Sequence, residues 1–302
     1  MHTRKERKIS REKLSRGLCS AITLARYEEG YRVPDKFMTD ALLERMGIIP
    51  YQYEFIGSEQ EFKYRMMRKQ IEKLLQDERT EQALACIEIY QGQIKEKDHL
   101  HIQYLLMKRA EIAVSQRQHR EAVKLFRKAL ACTKIQEICR EDLSNRLFTA
   151  YEINSLYGLA ESLYAKGETE EAFCLFEILK NYMDNVQWDK EKWNEVYPHV
   201  LYRLAQQEIE RHNAGTAYQY LTRAKKLLLQ SYSIRNLLEI SELHRNLEIK
   251  LGVVQDAWQE DFITALKILE TGRKGQITEE GLILWESTVK LQLLNTPEQQ
   301  QG

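Results

Sequence analysis

The residues whose types and spacing suit chemistry crowd the start of the chain. Nine of the first 32 residues are Lys or Arg (Arg4, Lys5, Arg7, Lys8, Arg11, Lys13, Arg16, Arg26 and Arg32), against four acids, Glu6, Glu12, Glu28 and Glu29. The 302-residue chain as a whole carries a formal net charge of +0. A cationic cluster on a neutral chain can neutralise phosphates, so it suits a small nucleic-acid module on a larger non-binding body; the competing reading is a solvated, charged helix face. Enzyme chemistry has no signature: there is no Gly-x-x-x-x-Gly-Lys-Ser/Thr, no Gly-x-Ser-x-Gly and no His-Glu-x-x-His. His99 and His101 form a close pair but lack companions at ligand spacing, so both are predicted to be surface residues. No catalytic residue, metal site or cofactor is predicted. The cysteines Cys19, Cys86, Cys132, Cys139 and Cys174 are odd in number and contain no Cys-x-x-Cys pair. They read as small buried apolar groups in a reducing compartment. No signal-peptide pattern follows the basic start, and no uncharged apolar run approaches the roughly 18 residues of a membrane helix, so a cytoplasmic protein without a membrane partner is predicted.

These groups must be positioned by helices. The prolines are Pro34, Pro50, Pro198 and Pro297, which leaves the stretch between Pro50 and Pro198 open to long uninterrupted helices. Glycine is sparse, which argues against an all-β fold with many tight turns. Ser10 is a good N-cap for a short helix ending near Gly17, and Ser20 caps a second over residues 21–28, stopped by Gly30. Pro34-Asp35 opens a third that runs to Gly47. Leu14, Leu18, Leu24, Tyr27, Phe37 and Leu42 have the spacing to form one small core. Short helix, tight turn, short helix is the geometry that lays a second helix in a DNA major groove.

The run Ile9-Ser10-Arg11-Glu12-x-Leu14-x-x-Gly17-x-Cys19-Ser20-x-x-Thr23-Leu24-x-Arg26-Tyr27-Glu28-x-Gly30-x-Arg32-x-Pro34 resembles the helix-turn-helix of lambda-repressor-like, Xre-family regulators. It looks most like the subset with Cys-Ser in the turn that precedes tetratricopeptide repeats. The match covers about the first 47 residues. The resemblance implies that Ser20, Ala21, Ile22, Thr23 and Arg26 face DNA, with Arg26 placed to be bidentate to a guanine edge and Ala21 and Ile22 placed against thymine methyls. Arg11, Thr23, Arg32 and Lys36 are the implied phosphate contacts. Leu24 and Tyr27 match core positions, and Glu28 reads as a polar contact within the module. Of the full helix that opens the family's motif, only the last two turns are expected here.

Beyond a connector expected at 51–57, helical patterns span 58–78, 80–95, 98–117, 119–133, 142–166, 169–184, 189–212, 214–230, 234–251 and 255–272. A last amphipathic stretch covers 278–293, and the tail 295–302 is expected to be disordered. A spacing recurs through them: Ala110, Ala122, Phe126, Ala129; then Ala160, Ala172, Phe176, Leu179; then Ala205, Ala217, Leu221, Ala224. Ile71, Ala83, Ile87 and Tyr90 form a looser copy, and a degenerate one follows around 234–270. Antiparallel helices approach closely only where facing side chains are small, and the large residue one turn later fills the space beneath. This is the tetratricopeptide pattern, at steps longer than the usual 34 residues. The predicted fold is therefore all-α: a helix-turn-helix domain over 1–50 and a right-handed helical-hairpin solenoid over 58–294. Long-helix repeats behind an Xre-type module resemble the peptide-sensing Rgg/PlcR regulator family.

The first helix of each hairpin lines the concave side of such an array. Counted from the anchor alanines, that side carries Tyr104, Met107 and Glu111, then Asn154, Tyr157, Glu161 and Tyr164, then His199, Tyr202 and Gln206. Aromatic groups interleaved with amides and carboxylates suit an extended peptide. The competing reading packs Tyr157 and Tyr164 between repeats. In the resembled family, concave asparagines hold peptide backbone; Asn154 is the best match and Asn246 a weaker one. The expectation is a homodimeric, peptide-gated DNA-binding regulator used in quorum sensing. Its alternatives are a protein-binding scaffold with a vestigial DNA module and, more distantly, a phosphatase or anti-activator on the same repeats.

Overall fold

The computed structural model describes residues 2–48, 50, 58–136, 146–185, 196–230, 236–252, 262, 263 and 266. Among them every regular element is a helix: α1 His2–Glu6, α2 Arg11–Ser15, α3 Ala21–Glu28, α4 Lys36–Arg45, α5 Glu59–Gln76, α6 Thr80–Gln93, α7 His99–Ser115, α8 His119–Ala131, α9 Ala150–Lys166, α10 Thr169–Asn185, α11 Tyr197–Glu210, α12 Ala214–Gln230 and α13 Leu237–Leu251. The chain forms two compact units, residues 1–189 and 190–302. The expected connector at 51–57, the stretch 278–293 and the tail lie outside the described residues, as does Cys139. The described cysteines Cys19, Cys86, Cys132 and Cys174 are free thiols.

Caps set the first helices. The hydroxyls of Ser10 and Ser20 accept from the N–H groups of Lys13 and Thr23, and the Asp35 carboxylate accepts from Met38. Each satisfies a donor that the helix start leaves orphaned. Arg4 of α1 and Arg11 of α2 both grip the Glu28 carboxylate at the end of α3, at 2.6 and 2.7 Å. That pairing holds the Glu28 carboxyl at about 2, the Arg4 hydrogen bond being the main cause. The short α1 is thereby tied into the module.

The hairpins α5–α6, α7–α8, α9–α10 and α11–α12 follow the predicted repeat. Ala110, Ala122, Ala160, Ala172, Ala205 and Ala217 have no exposed surface, as small residues at close helix crossings should. Phe126, Phe176 and Leu221 lie buried one turn on. Gly158 was not part of that pattern, yet a Cβ there would run into the Phe126 ring, so α8 and α9 meet through it.

One helix starts later than its apolar pattern suggests. The segment 146–149 is not helical, and α9 begins at Ala150 because Thr149 and Glu152 close a capping box. Phe37 also departs from expectation. It is buried, but its ring leaves the module's core to stack on His101, centroids 4.7 Å apart. His101 is correspondingly no surface residue: burial under Phe37 and against Tyr90 lowers its pKa to about 4.

Candidate DNA-facing module and the repeat face that holds it

The α3 helix turns outward. Of its eight residues only Leu24 is buried, and Ile22 is 69% exposed. Ser20, Arg26 and Arg32 are exposed, while Ala21 and Thr23 are half-buried. The Thr23 hydroxyl sits 2.8 Å from that of Ser20. Arg32 lies over the Tyr27 ring at 5.7 Å. Tyr31 and Val33 in the following loop are exposed apolar residues. Two of the expected phosphate contacts have protein partners: Arg11 pairs with Glu28, and the Lys36 ammonium pairs with Asp40 one turn on. Of the cations expected to meet DNA, Arg26 and Arg32 are exposed, and Arg11 and Lys36 are half-buried.

The opposite side of the module is bound to the first three hairpins. Phe37 of α4 contacts His101 and Tyr104 of α7 and Tyr151 of α9, and the Arg68 guanidinium of α5 lies 4.5 Å from its centroid. Arg68 donates to the Tyr90 hydroxyl (2.8 Å), which in turn lies 2.7 Å from Nδ1 of His101. At the other end of α4, Arg45 is 1% exposed. Its Nη2 reaches both carboxylate oxygens of Glu152 at 2.8 and 3.1 Å, and its Nη1 donates to the carbonyls of Leu14 and Arg16 at 3.0 and 2.6 Å. Arg146 approaches the same carboxylate at 3.9 Å and also donates to the Thr133 carbonyl. Glu44 accepts from the first N–H of α9, that of Ala150, at 2.8 Å. Gly17 packs so closely on the Thr133 carbonyl that a Cβ would overlap it, and its φ of +78° suits glycine in any case.

The expected peptide-contacting residues differ in their surroundings. Tyr104 and Met107 are 0% exposed, so in this conformation neither offers surface to a ligand; Tyr104 donates to the Arg68 carbonyl at 3.2 Å and belongs to the cluster around Phe37. Glu111 is partly exposed and paired with Lys108. On α9, Asn154 is exposed and Glu161 half-buried. Tyr157 and Tyr164 are half-buried against Phe176 and Phe173 of α10, the second helix of their own hairpin; these contacts lie within a repeat and not between repeats. In the second unit His199, Tyr202 and Gln206 are partly exposed on α11; Gln206 donates to the Tyr202 hydroxyl at 3.1 Å, and His199 lies 2.9 Å from the Asn236 amide. Asn246 is exposed on α13.

Reading by residue type missed Arg45, Glu152, Arg146 and Arg68, because charged side chains default to solvent. Among the described residues no three His, Cys, Asp or Glu side chains could share a metal ion, and no helix is long and apolar enough to cross a membrane.

Fold and site together define a class: a small helix-turn-helix domain followed by tetratricopeptide-like helical hairpins. Among solved structures the chain is similar to Bacillus thuringiensis PlcR in complex with the peptide PapR7 and DNA, at a TM-score of 0.52 and 14% identity over 92% of this chain and 97% of that one. It is also similar to two structures of the nearly identical TPR-like repeats of a Podospora anserina putative kinesin light chain, one of them a point variant, at TM-scores of 0.46 and 0.45 with 16% and 14% identity. Those cover 70% and 71% of this chain and 97% and 98% of theirs. No protein-family profile and no curated protein matches the chain.

Proposed function

We propose that the chain is a sequence-specific DNA-binding transcriptional regulator of the cytoplasm, acting as a homodimer and gated by a short peptide in a quorum-sensing circuit. In this reading residues 1–50 are the DNA-binding domain and 58–294 the sensing domain. The observation that carries it is the outward α3: a Ser20-capped helix with Ile22 and Arg26 exposed, on a module whose other side is fixed to the repeats. A helix start capped in this way suits phosphate contact, and an exposed arginine one turn on suits a base edge. The likeness to PlcR, a protein solved with DNA and a peptide, supports the same pair of partners here. In the first unit the peptide would lie along α7 and α9, with Asn154 as backbone partner and Glu111 and Glu161 as polar contacts; His199, Tyr202 and Gln206 on α11 are the candidates of the second unit, taken by itself. Nothing in the reading calls for catalysis or a cofactor.

The test is selection of the purified full chain against a random duplex library at near-physiological salt with competitor. A two-fold-symmetric enriched site, with half-sites about one or two helical turns apart, is the expected result. Absence of any enrichment from a folded protein would overturn the reading in favour of a protein-binding scaffold.

A further inference from the structure

The helix α4 is bound by the repeats as a ligand is bound. It lays a face of Phe37, Ala41 and Arg45 on the first helices of three consecutive hairpins. Its two anchors stand eight positions apart, or about 12 Å along a helix. The aromatic anchor enters a pocket whose walls are already locked to one another: Arg68 donates to Tyr90, Tyr90 bonds His101, and Tyr104 bonds the Arg68 backbone. The cationic anchor meets a carboxylate that is fully buried and held by its own helix start, the Thr149 N–H reaching Glu152 at 2.7 Å. Such preorganised pockets for one aromatic and one guanidinium are what a helix-in-groove site presents.

The geometry points to an interaction surface: we propose that the inner face of α5, α7 and α9 is a receptor for an amphipathic helix carrying an aromatic residue and, two turns later, an arginine. The chain's own α4 occupies it in the docked state, and a peptide of that chemistry competes for it. This helical occupant is distinct from the extended peptide placed along Asn154 and Glu161 above, and the receptor does not rest on that reading. Docking leaves α3 exposed, so it orients the DNA-facing surface and does not cover it. α9 connects the two sites, since Tyr151 and Glu152 hold the module and Asn154, two residues on in the same turn, is exposed.

The probe is a fluorescent synthetic peptide of this chain's residues 34–47, kept helical by a staple between the positions of Thr39 and Leu43. It is titrated by anisotropy into two full-length proteins: the natural chain and the double variant Phe37→Ala/Arg45→Ala, whose own helix lacks both anchors. Saturable binding to the variant, at least about tenfold weaker on the natural chain, is expected, because loss of two hot-spot anchors empties the site. Adding Glu152→Gln to the variant should abolish it. No binding to a variant whose helical content is intact, or equal binding to both proteins, overturns the proposal. Hydrogen exchange gives a second reading without the double variant. In Glu152→Gln alone, amides of α4 should exchange about a hundredfold faster while those of α11 and α12 are unchanged; unchanged exchange in α4 overturns the receptor. Neither measurement contains DNA, so a failed duplex selection would sink the regulator reading and leave these results standing.

Discussion

Two neighbouring helices of one small module have opposite allegiances. In α3 a single residue, Leu24, is buried, and its arginine faces water; α4 buries Phe37, Met38, Ala41, Leu42, Glu44 and Arg45. The contrast teaches that an arginine's type says little about its task. Arg26 is free to meet an outside partner, whereas Arg45 has surrendered its hydration for Glu152 and two backbone carbonyls. Burying two charges costs several kcal/mol per ion, and geometry of this quality offsets that cost without guaranteeing a surplus. What the pair secures is one orientation of α3 on the repeats.

The comparison breaks most sharply at Glu152. Glu152→Ala should lower stability by about 3–5 kcal/mol, since it strands the buried Arg45 charge without its carboxylate partner. Urea unfolding measures this. Replacing both partners by apolar residues, Arg45→Met with Glu152→Leu, should recover most of the loss; if it does not, the pair supplies net stability.

Acid should loosen the same junction from its other end. Burial and the nearby Arg68 hold His101 neutral down to about pH 4, against 6.5 for an exposed imidazole. Its neighbours also include Tyr90, Asp35, Asp98 and Glu61. The unfolded chain therefore binds the extra proton first, so stability is fully present above pH 6.5 and falls as pH drops from there towards 4. The size is up to about 3 kcal/mol at 1.36 kcal/mol per unit. His244 in the second unit has a pKa lowered to about 4 as well, so melting alone cannot separate the two. The separating measurement is His101→Gln, which should flatten the pH dependence of exchange in α4 and leave that of α13 intact.

Much of this architecture was legible because it depends on periodicity. The alanine register works at any crossing of two close helices, so spacing alone located four hairpins and their buried anchors. Ser10 and Ser20 announced helix starts for an equally local reason. The start of α9 was readable too: Thr149-x-x-Glu152 is a capping-box pattern, obscured by the apolar residues that precede it. The docking was not legible. Arg45 and Glu152 are 107 residues apart, and nothing local distinguishes a charge destined for a partner from one destined for water. Phe37 fits the module's own core by spacing, and only the assembled repeats reveal the second aromatic surface that claims it. Tyr104 and Met107 were expected on an open face, but sequence order gave no sign that both would be buried, Tyr104 against the ring of Phe37.

A smaller perturbation tests the contact between the module's turn and the repeats. Gly17→Ala should cost about 1–3 kcal/mol through overlap with the Thr133 carbonyl, with roughly 1 kcal/mol more for the left-handed backbone. Thermal melting of the full chain measures it. An unchanged midpoint would mean that α2 and α3 can shift away from the repeats while α4 stays docked.

The smallest effect on stability is expected where the effect on function is greatest. Arg26→Ala removes an exposed side chain with no burial to lose, so its melting point should match the natural chain within about 0.5 kcal/mol. On the selected duplex it should cost roughly 1–3 kcal/mol and relax the preference at one base pair. The pattern across sequences decides its role. A loss confined to one position makes Arg26 a base reader. An equal loss on every duplex, with a shallower salt dependence, makes it a phosphate contact and shifts specificity to Ile22 and its neighbours. A lowered melting point would remove the contrast itself, because Arg26 would then belong to the module's packing as Arg45 does, and the outward face of α3 would have to be read again from its remaining residues.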